Sequence, residues 1–96
     1  MSRVTIKNLE FLVERINKLT GSPLTPWERI DGKLQANIGN YHLDQAYGGI
    51  KLVRMDTLGG GISIVTRNGY GTKKELYYQL DAIITGLELR NNNEKV

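Results

Sequence analysis

The residues whose types suit chemistry gather in the middle and late chain: Tyr41, His42, Tyr47, Gly48, Arg54, Arg67, Lys73 and Lys74. Tyrosine and imidazole rings offer flat faces on which a base can stack, and guanidinium and ammonium groups offer donors to phosphate. Glycines at 48, 49, 59, 60 and 61 allow backbone to come close to a ligand. The first amides of a helix opening near Lys73 and Lys74 add the positive end of its dipole. Taken together, these groups predict a small pocket for an anionic ligand. In it Tyr41, His42 or Tyr47 stacks on a base, Gly48 admits the ligand, and Arg54, Arg67 and Lys73 neutralise phosphate. Taken singly, each has a plainer reading: half-buried tyrosines, turn glycines, solvated lysines.

Catalysis finds less support. His42 and Asp44 share a strand face but make only two ligands, and no cysteine exists to complete a metal site. Neither Ser22 nor Ser63 sits in a nucleophile motif, and Gly69-Tyr70-Gly71 alone is no phosphate-binding loop. The expectation is therefore a non-enzymatic protein with no cofactor and no metal. Its 96 residues make one domain with an adequate but not generous core, so a homo-oligomer is expected. The absence of cysteine implies no oxidising compartment. No stretch approaches the roughly 20 apolar residues that span a bilayer, so the location expected is the cytoplasm, with no membrane partner. A net charge of +3, scattered among acids, permits an anionic partner without demanding one.

The elements that must position these groups follow from periodicity. Ile6, Leu9, Leu12, Val13, Ile16 and Leu19 form one stripe of a helix over 5–20, with Thr5 as N-cap and Gly21 as the left-handed stop. Phe11 falls off that stripe. It is expected to widen the buried face, or else to meet a second subunit. Strands are predicted over 27–30 and 33–38 around an Asp31-Gly32 turn, then from Tyr41, over 50–55 and over 62–66. Alternation slips by one residue at Gly39-Asn40, which predicts a bulge or break. Thr72-Lys73-Lys74-Glu75 has capping-box spacing and opens a final helix that should stop near Gly86. The whole reads as an α+β domain over 1–90, with an N-terminal helix, an antiparallel meander of three to four strands and a C-terminal helix. Both helices lie on one face of the sheet, and residues 91–96 form a disordered tail.

Two resemblances add to this reading. Gly39-Asn40-Tyr41-His42-Leu43, Ala46-Tyr47-Gly48-Gly49, Gly59-Gly60-Gly61 and Lys74-Glu75-Leu76-Tyr77 together resemble short accessory proteins of tailed bacteriophages. That resemblance covers most of the chain and implies a candidate host-defence antagonist. Some such proteins bind a host defence protein; others are non-catalytic cytosolic oligomers that sequester a nucleotide second messenger. Separately, Gly69-Tyr70-Gly71-Thr72-Lys73-Lys74-Glu75-Leu76 is similar to the end of a double-stranded-RNA-binding domain, where a lysine pair opening the last helix meets phosphates. It implies nucleic-acid contacts at Lys73 and Lys74, although Tyr77, Tyr78 and Ile83-Ile84 stand where that family packs small alanines. A protein-only inhibitor of a host factor fits the same elements.

Overall fold

The computed structural model describes residues 3–66 and 70–94, residues 93 and 94 by backbone alone. The first helix, α1 (Ile6–Thr20), begins where predicted: Thr5 Oγ1 accepts from the Asn8 amide at 3.2 Å and the Asn8 side chain accepts from the Thr5 amide at 3.0 Å. Gly21 ends it at φ 70°. Leu9, Val13 and Ile16 are buried, whereas Phe11 is 69 % exposed and widens no buried face of this chain. It lies one residue from Leu12 on a helix whose inward arc is already filled.

Between the helices the strands form two antiparallel sheets, the second of them a three-stranded meander as expected. Strands β1 (Trp27–Ile30) and β2 (Lys33–Ala36) pair antiparallel as an isolated hairpin arm, turning through Asp31 and Gly32 at φ 50° and 78°. β2 stops two residues short of prediction because the Asn37 carbonyl turns to accept from the Asn40 amide at 3.2 Å. The expected irregularity follows at once. Gly39 N donates to Met55 O and Met55 N donates to Asn40 O, both at 2.8 Å, so two residues face one and the chain changes phase. The second sheet has the order β3-β4-β5, with β3 (Tyr41–Ala46), β4 (Gly49–Met55) and β5 (Ile62–Ile64) all antiparallel.

The central strand is buried on both faces, as its apolar run requires: Ile50 and Leu52 on one side, Val53 and Met55 on the other. Both helices cover the first of these faces. Leu9, Val13 and Ile16 of α1 and Leu76, Leu80 and Ile84 of α2 (Lys73–Glu94) enclose Ile50 and Leu52. The arm stands away from this core. The Cα radius of gyration is 14.2 Å, against about 12.5 Å for a compact chain of this length.

The final helix corrects the expected boundary. It runs through Gly86 and remains helical over Asn91–Glu94, where a disordered tail was predicted; residues 95 and 96 lie outside the described residues. An interior glycine costs about 1 kcal/mol relative to alanine, but contacts with α1 continue beyond it. Arg15 Nη2 meets Glu88 Oε1 at 2.6 Å, and Asn91 Nδ2 donates to the Leu19 carbonyl at 3.5 Å. Among the described residues no helix is long and apolar enough to cross a membrane.

Candidate functional site

Tyr47 and Gly48 form the two-residue turn between β3 and β4, with Ala46 opposite Gly49 as the last pair. Their φ values of 54° and 73° belong to the mirror-image turns that suit hairpin twist, where asparagine and glycine are the usual occupants. Tyr47 therefore occupies a costly conformation while being 96 % exposed, a position where little packing holds it. Its ring meets Tyr70 edge-on at 5.7 Å.

A small polar cluster fixes Tyr70. Its hydroxyl donates to Asp44 Oδ2 at 2.7 Å, and Lys51 Nζ sits 4.1 Å from its ring centroid and 3.9 Å from the same Asp44 oxygen. The hydrogen bond to Asp44 first, then burial, raises the Tyr70 pKa above its ordinary value. Lys51 is buried at 9 % exposure, so a cation–π contact and a carboxylate both satisfy an ammonium group that water scarcely reaches. Gly49 makes this approach possible, because a Cβ there would lie 2.9 Å from Tyr70 Cβ.

Gly71 then pairs with Ile50 through two 2.9 Å backbone bonds, which brings the start of α2 beside the turn. Thr72 caps that start: its Oγ1 accepts from the Glu75 amide and Glu75 Oε1 accepts from the Thr72 amide, both at 3.1 Å. The backbone bond from Thr72 and then its side chain lower the Glu75 pKa. A cavity of about 690 Å³ opens here between Arg3, Gly48, Thr72, Lys73, Lys74 and Tyr78. Adjoining it, a cavity of about 360 Å³ is lined by Gly48, Gly49, Gly71 and Lys73 among others. No acidic side chain lines either, and Arg3, Lys73 and Lys74 enter no ion pair among the described residues.

The structure thus divides the predicted set. Gly48, Lys73 and Lys74 converge, whereas Tyr47, next to Gly48 in the turn, lines neither cavity and meets Tyr70 instead. Tyr41 and His42 instead line a groove of about 550 Å³ between α1 and β3, in company with Glu10 and Glu14. There the His42 pKa is lowered by burial, partly opposed by Asp44, and Nδ1 lies 3.1 Å from Asn40 Oδ1. Arg54 is engaged elsewhere, its Nη1 bonded to Asp56 Oδ1 at 2.9 Å. Arg67 lies outside the described residues. Two contributors escaped sequence reasoning: Arg3 in the cavity and Lys51 in the Tyr70 cluster. Arg3 is near the chain start and Lys51 reads as a strand's polar residue, so neither carried a local signal. Among the described residues no three His, Asp or Glu side chains gather as metal ligands. No protein-family model matches the chain, and neither does any curated protein or solved structure.

Proposed function

We propose that this chain is a non-enzymatic binding protein for a nucleotide-type anion, held at the start of α2. The observation that carries the reading is the convergence of Arg3, Lys73 and Lys74 on one cavity with no acidic lining, at the Gly48 end of the turn that also carries the exposed Tyr47. Phosphate takes the cations and the Lys73 and Lys74 amides, the Thr72 and Glu75 amides being already bonded within the cap, and a base stacks on Tyr47. Tyr41 and His42 do not join this site, since Glu10 and Glu14 share their groove and repel phosphate. A counter-defence sponge for a nucleotide immune signal, acting in a host cytosol, is the specific form of this reading. Self-association completes it: Ile62 and Ile64, two apart on one face of β5, are large apolar side chains 45 and 53 % exposed, a surface suited to a second copy.

The test is a thermal-shift and calorimetric series with cyclic dinucleotides, ADP-ribose derivatives, mononucleotides and duplex RNA, using wild type, a Lys73→Ala/Lys74→Ala variant and Tyr47→Asn. One small nucleotide should stabilise the wild type by about 2.7 kcal/mol at a hundred times its Kd and be recovered intact. The lysine variant should lose that shift. Tyr47→Asn should weaken binding while raising stability by about 0.5 kcal/mol, because asparagine tolerates the left-handed turn. A shift with duplex alone, falling steeply with salt, would assign the lysine pair to nucleic acid. No shift with any of them would refute the anion site and leave a protein partner as the reading.

A further inference from the structure

We infer that the open edge of β3, with the groove beside α1, is a docking site for an extended basic peptide that adds a strand to the sheet. β3 is an outer strand of the order β3-β4-β5. Antiparallel pairing alternates. The Ala46–Gly49 pair closing the two-residue turn and the Met55 to Asn40 bond at the other end fix its phase. His42, Asp44 and Ala46 exchange bonds with β4, whereas Tyr41, Leu43 and Gln45 turn their amides and carbonyls outward.

At Tyr41 the outward pair is already satisfied in the manner of a neighbouring strand. Asn17 Oδ1 accepts from the Tyr41 amide at 2.8 Å and Asn17 Nδ2 donates to the Tyr41 carbonyl at 3.0 Å. Leu43 and Gln45 continue that row with four backbone groups, and both border the 550 Å³ groove. A strand edge of this kind gives affinity through main-chain hydrogen bonds, and the walls give specificity.

The wall is acidic. Glu10 and Glu14 flank Val13 across the groove; Glu14 holds Lys18 at 3.1 Å, and Glu10 enters no ion pair among the described residues. Lysine or arginine at alternate positions of an added segment meets these carboxylates. An acidic segment or a phosphate does not fit. Nor does a second copy paired edge to edge, because two-fold pairing of β3 brings both Glu10 and Glu14 pairs toward one seam.

The experiment uses the full chain and an acetylated, amidated five-residue peptide alternating lysine and valine, with its glutamate–valine counterpart as control. Amide hydrogen exchange by NMR should slow at least tenfold at Leu43 and Gln45 with the basic peptide, with His42 and Asp44 little changed and the acidic peptide inert. Gln45→Pro removes an outward amide without breaking a ladder bond, and Glu10→Lys reverses one carboxylate on an exposed helix surface. Each should weaken binding at least tenfold, with wild-type circular dichroism confirming that the variant is folded. Equal response to the acidic peptide, or unchanged exchange at Leu43 and Gln45 at saturation, would overturn the proposal. So would concentration-dependent protection without peptide, which would give the edge to a second copy.

Discussion

Replacing Asn17 tests how the first helix is tied to the sheet. The side chain is 1 % exposed and makes two bonds to the Tyr41 backbone, at 2.8 and 3.0 Å. Asn17→Leu keeps the branched shape, in a somewhat larger side chain, and removes both. Each buried group left unpaired costs about 1–3 kcal/mol. Tyr41 is only half-buried, so water recovers part of the loss, and leucine gains some apolar burial. The net destabilisation is about 2–3 kcal/mol, a large share of a small domain's stability. With a urea slope of about 1.5 kcal/mol/M, the midpoint should fall by about 1.3–2 M. Asn17→Asp separates the two bonds. Its carboxylate still accepts from the amide but faces the carbonyl, so burial and repulsion raise its folded pKa above the unfolded value of about 3.9. Relative to wild type, the deficit is then full above the folded pKa and shrinks as pH falls through it, when the protonated acid donates to Tyr41 O. A Leu variant shifted by less than about 0.5 M, or an Asp variant whose deficit ignores pH, would refute the argument.

Two further outcomes follow from local geometry. Gly60→Ala places a Cβ 2.5 Å from Trp27 Cη2 at φ 99°, so it should cost about 1–3 kcal/mol and shift the emission of the chain's one tryptophan, read by fluorescence and melting together. Because burial lowers the folded His42 pKa below its ordinary 6.5, its contribution is intact above that value and is lost as pH falls through the folded one. The melting temperature of wild type should therefore drop more than that of His42→Gln between about pH 7 and about pH 5. Parallel curves would show that His42 carries no such linkage.

Wherever a signal is local, sequence and structure agree. The Thr5 and Thr72 caps, the Gly21 stop, the Asp31-Gly32 turn and the phase slip at Gly39-Asn40 are set by backbone conformation within a few residues, and each appears in place. The central strand's double burial was also legible, since an apolar run on both faces permits little else. The stop at Gly86 was not, because the turns beyond it are held by Arg15 and Leu19, some 70 positions away.

The candidate site shows the same division. Sequence determined which residue types were available and that Lys73 and Lys74 open a helix. It could not determine that Arg3 would join them, or that Tyr41 and His42 would face Glu10 and Glu14 while Gly48 faced the lysines. Those outcomes depend on which strand lies at the sheet edge, where α1 crosses it, and the Gly71–Ile50 pairing that brings α2 to the turn. Composition and periodicity fix the short-range backbone choices, because their energies are local. The meeting of distant charges is decided only by packing, which no spacing along the chain encodes.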